Sequence, residues 1–171
     1  VRAAKQAGVP VFCMDREIDD NDVAVSQILS DNYSGCVLLG QYFVKMLNGK
    51  GSYVELLGLV GDNNTWNRSQ GFHSVVDNYP DLKMAAQQTG EFDRNKAMEV
   101  MESMLQAHPK IDAVFCGNDA MAMGAYQALV AAGKAAIGMA GGNIPESGTQ
   151  PLCEHFCDSF DDVLAVIRGR Q

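Results

Sequence analysis

Residues 93–134, DRNKAMEVMESMLQAHPKIDAVFCGNDAMAMGAYQALVAAGK, read as helix, strand and helix with almost no chain to spare between them. Ala97, Val100, Met101, Met104 and Leu105 recur at three- and four-residue spacing, which places them on one face of a helix over 93–108. Asp93 stands where its carboxylate can cap the first turn. IDAVFCG (111–117) is a short continuous apolar run ended by glycine, the pattern of a strand. NDAMAMGAYQALVAAG (118–133) is again helical and closes at Gly133.

The same alternation runs back to the first residue. Arg2–Ala7 reads as the end of a helix closed by Gly8, and VPVFCM (9–14) as a strand covered on both faces. Residues 24–32 form a weaker extended segment. Helix 33–47 follows, with Cys36, Leu39, Gly40, Phe43, Met46 and Leu47 on one side, and stops at NGKG. SYVELLGL (52–59) is a strand, VGDNNTWNRSQ a polar loop, 67–78 a helix ending before Tyr79-Pro80, and LKMAAQQTG (82–90) a strand. Strands separated by single helices imply right-handed crossovers, hence an α/β fold with a parallel sheet and helices on both faces.

After Lys134 this rhythm stops. Residues 135–171 are rich in turns, and only DSFDDVLAVIRG (158–169) has helical periodicity. This atypical tail reads either as a domain extension or as a truncated or frame-shifted stretch. At the other end VRAAKQAGVPV lacks the apolar core of a signal peptide, and without an initiator Met the chain is expected to begin inside a larger domain.

Composition narrows the function classes. A net charge of -8 across 171 residues opposes both a nucleic-acid surface and attachment to an anionic membrane. No apolar run approaches a membrane span, so direct insertion is not expected. Cys13, Cys36 and Cys116 lie in apolar segments, where a free thiol packs as a small hydrophobe. Cys153 and Cys157 flank His155 in CEHFC, but a zinc site needs a second ligand pair that the sequence lacks. LNGKGS (47–52) precedes a strand rather than following one, so it is a helix stop and not a phosphate loop. No GxGxxG follows a strand, no histidine has a visible catalytic partner, and no cofactor, metal or catalytic residue is assigned.

In open parallel sheets ligands lie beyond the carboxyl ends of the strands. Those ends carry Asp15-Arg16, the loop 60–68, Glu91-Phe92-Asp93 and Asn118-Asp119. Asp15 accepts hydroxyl hydrogens, Arg16 and Arg68 donate in planar forks, and Asn32 and Asn118 do both. Phe92 offers a flat apolar face. A polyol or pyranose needs that mixture. Singly, Asp15 and Arg16 also fit as surface charge, Asn118 as a helix cap and Phe92 as core.

GVPVFCMDRE, SDNYSG, NRSQGF and the long stretch FDRNKAMEVM…AAGK together resemble the periplasmic sugar-binding proteins of ABC transporters, the ribose-binding-protein-like group, from residue 1 to about 134. The resemblance implies a type I periplasmic-binding-protein fold: two similar α/β lobes joined by a hinge and closing on a monosaccharide, a ribose-like pentose or a hexose. It assigns sugar contacts to Asp15, Arg16, Asn32, Arg68, Phe92 and Asn118, with Trp66 either an added stacking face or a loop cover. It implies a membrane permease of an ABC transporter as partner and a periplasmic location. Much of the N-terminal lobe would lie upstream of Val1, and GMAGGNIPES stands where the family has an Asp-containing turn. The expected organisation is therefore incomplete: 1–31 a remnant of the N-terminal lobe, 32–134 the C-terminal lobe, and 135–171 the tail. Two other readings share these features: the effector domain of a LacI-like regulator and, more distantly, a carbohydrate-active enzyme.

Overall fold

The computed structural model describes residues 1–20 and 22–134, together with the backbone of 137–139 and 155–157. The elements follow one another as α1 (Arg2–Gln6), β1 (Phe12–Met14), β2 (Ser26–Ile28), α2 (Asn32–Met46), β3 (Gly51–Leu57), α3 (Asn63–Val76), β4 (Leu82–Thr89), α4 (Arg94–Ala107), β5 (Ala113–Cys116), α5 (Asp119–Ala131), β6 (Ile137–Met139) and β7 (His155–Cys157). All described strand pairs are parallel. The helix proposed for 158–169 and Cys153 of CEHFC lie outside the described residues.

The chain divides into two compact units, Val1–Asn48 with Val60–Tyr79, and Gly49–Leu59 with Pro80–Gln171. In the first unit β1 pairs with β2, Phe12 opposite Ser26 and Met14 opposite Ile28. α2 and α3 pack closely because small residues stand at the crossing. A Cβ on Gly71 would lie 2.3 Å from the Tyr33 carbonyl oxygen, and one on Gly40 would lie 3.0 Å from that of Phe72. Phe43 and Phe72 meet edge to face at 5.0 Å, with Val44 and Val76 also buried.

In the second unit β3 is the centre of a three-stranded sheet, order β4-β3-β5. Val54 and Leu56 face one side and bury against Ala97, Val100, Met101, Met104 and Leu105 of α4 and Met121, Ala125 and Ala128 of α5. The predicted apolar face of α4 is therefore the observed one, and Asp93 caps the helix by accepting from the Lys96 amide at 2.8 Å. Tyr53, Glu55 and Leu57 point the opposite way and are buried too, as a parallel strand requires. Glu55 lies fully buried, its Oε2 accepting from Gln87 Nε2 at 2.6 Å.

Two expectations need correction. The strand at 9–14 was expected to be covered on both faces, yet Phe12 is 59% and Met14 72% exposed. β1 has a single neighbour, β2, among the described residues, and an apolar run reports a tendency to be buried rather than the presence of a cover. The second concerns 60–68. α3 begins at Asn63, not at 67, so Trp66 and Arg68 stand on a helix rather than in a loop. Asp62 decides this: its side chain accepts from the Asn64 amide at 2.9 Å and satisfies an orphan donor that weak helix formers such as Asn and Thr would otherwise leave open.

Cys13, Cys36 and Cys116 are not joined in disulfides, and each is half-buried. Burial, and secondarily the Glu55 carboxylate, push the Cys116 thiol up from 9.0 to about 12. An unfolded thiol loses its proton near pH 9 while the folded one keeps it, so this group's contribution to stability is intact below pH 9 and declines as pH rises toward 12. The urea midpoint of the parent is expected to fall more steeply above pH 9 than that of Cys116→Ala. Parallel curves for the two proteins would contradict the assignment.

Candidate functional site

Asp15 immediately follows β1 and extends its ladder, its amide donating to the Ile28 carbonyl at 3.0 Å. Its φ is +68°, in the left-handed region where a non-glycine residue costs about 1–2 kcal/mol. The surroundings hold it there. Asn64, 5% exposed on the first turn of α3, donates from Nδ2 to the Asp15 carbonyl oxygen at 2.9 Å. Asn64 Oδ1 accepts from Asn32 Nδ2 at 3.0 Å, and Asn32 Oδ1 accepts from Arg68 Nε at 2.8 Å. Asp15, Asn32 and Arg68, dispersed over 54 positions in sequence, are thus joined by one chain of hydrogen bonds.

Arg16 lies beside this chain, its Nε 3.3 Å from Asp62 Oδ2. Asp62 therefore does two jobs: it caps α3 and holds the Arg16 guanidinium. Further along, Asn67 Nδ2 donates to Glu17 Oε1 at 3.4 Å and Asn63 Nδ2 to Asp19 Oδ1 at 2.7 Å, so the first turns of α3 are stitched to residues 15–19. Trp66 is 40% exposed and donates from its indole nitrogen to the Val60 carbonyl at 2.8 Å. That bond fastens the segment leading into α3. Asp31, the N-cap of α2, accepts from the Ser34 amide at 2.9 Å, which holds its carboxyl below the usual range.

Phe92 and Asn118 belong to the second unit, at the ends of β4 and β5. Glu91 and Phe92 both have positive φ, +57° and +58°. Thr89 Oγ1 supports the turn, accepting from the Glu91 amide at 3.1 Å and donating to the Gly58 carbonyl at 2.6 Å. The Phe92 ring lies directly on Gly58, where a Cβ would fall 2.0 Å from Cζ. Asn118 Oδ1 caps α5 by accepting from the Met121 amide at 3.0 Å, so Nδ2 is its end suited to donate to a ligand. The preceding Gly117 packs on the same stretch, its Cβ position 3.5 Å from the Gly58 amide nitrogen.

Two groupings emerge: Asp15, Arg16, Asn32 and Arg68, with Trp66 on the same helix as Arg68, in one unit, and Phe92 with Asn118 in the other. Each holds hydroxyl-binding groups or an aromatic face at strand or helix ends, except that Arg68 and Trp66 stand inside α3. Strained backbone sits at two of these ends, the usual mark of a position selected for something other than stability. Sequence reasoning missed Asn64 and Asp62. Asp62 carried a signal, an Asx residue just ahead of a helix start. Asn64 carried none, because its partners Asp15 and Asn32 are remote in sequence.

The periplasmic binding protein domain model matches residues 1–150. The chain belongs to this family. The family's α/β architecture with parallel strands, the type I periplasmic-binding-protein fold, is the one described above, here in incomplete form. The chain is 48% identical over 179 residues to the D-apiose import binding protein of Actinobacillus succinogenes, covering 96% of this chain and 58% of that protein. It is 40% identical over 141 residues to the ribose import binding protein of Salmonella typhimurium, covering 82% of this chain and 47% of that protein. The solved fructose binding periplasmic domain of a hybrid two component system matches at a TM-score of 0.80 and 32% identity, covering 99% of this chain and 59% of that one. The chain spans about half the length of the curated relatives it matches. Those relatives are named as binding proteins of import systems, not as enzymes. No helix among the described residues is long and apolar enough to cross a membrane.

Proposed function

We propose that the protein to which this chain belongs is the solute-binding component of a sugar ABC transporter, holding a monosaccharide between two lobes in the periplasm and delivering it to a membrane permease. The observation that carries this reading is the hydrogen-bonded row Asp15–Asn64–Asn32–Arg68 at the carboxyl end of β1, in a chain whose relatives are named for apiose and ribose import. Asp15 would accept two sugar hydroxyls, and Arg16, Arg68 and Asn118 would donate to sugar oxygens. Phe92 would cover a C–H face of the ring. Assigning 1–31 to an N-terminal lobe and 32–134 to a C-terminal lobe is part of the same proposal. Closure would follow from ligand contacts available to both lobes only in the closed state.

A five-carbon sugar is favoured, D-apiose before ribose, on the higher identity to the apiose protein. The relatives' import names favour transport over a LacI-like effector domain or a carbohydrate-active enzyme. Titration calorimetry tests the reading with apiose, ribose, xylose, allose, galactose and polyols, on this chain and on the gene product extended to the length of its relatives. Saturable heat with a pentose from the extended protein is the expected result. Silence from both proteins toward every sugar would reject sugar binding, and turnover of any of them would revive the enzyme.

A further inference from the structure

We infer that Asn64 is a positioning residue of the sugar site, setting Asp15 and Arg68 together through a row of amides whose polarity is fixed at both ends; the inference rests on the sugar-binding reading above. Arg68 Nε is a donor only, so at 2.8 Å it must meet Asn32 Oδ1 and not Nδ2. Asn32 then has only Nδ2 to turn toward Asn64, which must answer with Oδ1, as it does at 3.0 Å. Asn64 is left with Nδ2, and that group meets the Asp15 carbonyl, an acceptor only, at 2.9 Å. Turning Asn64 over breaks two bonds at once, and turning Asn32 over breaks three, because its Nδ2 also donates to the Ser30 carbonyl at 3.3 Å. A guanidinium at one end and a carbonyl at the other therefore permit a single arrangement.

Asn64 is well placed for this task. It is 5% exposed, so water does not compete for its amide, and its own backbone nitrogen is fixed by Asp62 Oδ1 at 2.9 Å. Asp62 also holds Arg16 at 3.3 Å, so the start of α3 sets the Asp15 turn, Arg16 and Arg68 from one place. Asn64 itself need not touch the sugar. Its effect is on where the ligating groups stand: the αL turn that aims Asp15, with φ +68°, and the plane of the Arg68 guanidinium.

Two variants separate the arms. Asn64→Leu keeps the size and removes both bonds. Asn64→Asp keeps an acceptor for Asn32 and loses the donor to Asp15. Nitrogen-detected NMR of the arginine side chains should show a slowly exchanging Arg68 Nε–H in the parent, retained in Asn64→Asp and lost in Asn64→Leu. On the extended protein, calorimetry should show affinity for its sugar lowered three- to tenfold in Asn64→Leu. The same substitution added to Arg68→Ala should cost less than it does alone, because part of its effect passes through Arg68. An unchanged Arg68 Nε–H in Asn64→Leu overturns the inference whatever the sugar result. Unchanged affinity in Asn64→Leu, or full additivity with Arg68→Ala, overturns it while sugar binding by the parent stands. An extended parent that binds no sugar removes the reading on which the inference rests and overturns both.

Discussion

Gly124→Ala is expected to lower the thermal midpoint of this protein by about 4–8 °C, although an alanine in a helix interior ordinarily stabilises. The helix-propensity gain of Ala over Gly is about 1 kcal/mol. Against it stands geometry: a Cβ on Gly124 of α5 would lie 2.1 Å from the Arg94 carbonyl oxygen and 2.9 Å from the Met98 amide nitrogen of α4. Both are backbone atoms of a neighbouring helix, so no rotamer relieves the clash and the helices must part. That reopens a core containing Ala97, Met101, Met104, Met121 and Ala125. Overpacking of this kind costs about 3 kcal/mol at the upper end of its range, which leaves a net loss of about 2 kcal/mol. For a chain of this length each kcal/mol moves the midpoint by about 2–4 °C. Gly71→Ala should behave alike, since its Cβ would lie 2.3 Å from the Tyr33 carbonyl. Gly35 supplies the opposite sign. It is helical and exposed, with nothing within 4 Å of its Cβ position, so Gly35→Ala should raise the midpoint by a few degrees. Differential scanning calorimetry of the three variants decides the matter. A Gly124→Ala protein as stable as Gly35→Ala would mean that the α4–α5 crossing is looser than described.

Gly58→Ala should lower sugar affinity about tenfold in the extended protein. The Cβ would occupy the space of the Phe92 ring, 2.0 Å from Cζ and 2.1 Å from Cε1. A side chain can leave where a backbone cannot, so the ring moves and the sheet stays. The loss therefore falls mainly on whatever the ring does. Glu91 and Phe92 hold left-handed conformations at about 1–2 kcal/mol each, supported by the Thr89 hydroxyl and by the ring's seat on Gly58. Once the ring is unseated, the turn has less reason to keep that shape. An aromatic face against a ligand is worth about 0.5–1.5 kcal/mol beyond area burial, up to about tenfold in affinity. Phe92→Ala should give a similar loss, and the double variant no more than Phe92→Ala alone. If Gly58→Ala binds like the parent while ring-proton NMR shows Phe92 displaced, Phe92 belongs to the core and not to the site.

Much of this fold was legible residue by residue because its signals are local. The α4 face needs only the spacing of Ala97, Val100, Met101, Met104 and Leu105, which the helix converts directly into a buried stripe. Asp93 and Asn118 stand one step before their helices and cap them through bonds spanning three residues. The parallel arrangement of β3, β4 and β5 follows from the single helices between them, whereas β1 and β2 are parallel with no helix between them. The start of α3 was not legible, since Asn-Asn-Thr-Trp-Asn has poor helix propensity and only the Asp62 cap reverses it. Phe12 and Met14 misled in the other direction: β propensity and hydrophobicity announce a strand but cannot report what lies over it.

The candidate site divides along the same line. Which residue types collect near the strand ends was read from the sequence alone: Asp15 and Arg16 after β1, Arg68 in the stretch after β3, Phe92 after β4 and Asn118 after β5, with Asn32 beside them; resemblance to a known family then gave them a common sugar-binding role. How they are held was decided only in three dimensions. Asn64 sits 49 positions from Asp15 and 32 from Asn32, and hydrogen bonds over such separations leave no periodicity to read. The positive φ of Asp15, Glu91 and Phe92 runs against what each residue prefers by itself. Local preference is written into a sequence one turn at a time, whereas strain and long-range polar bonds exist only once the packed structure imposes them.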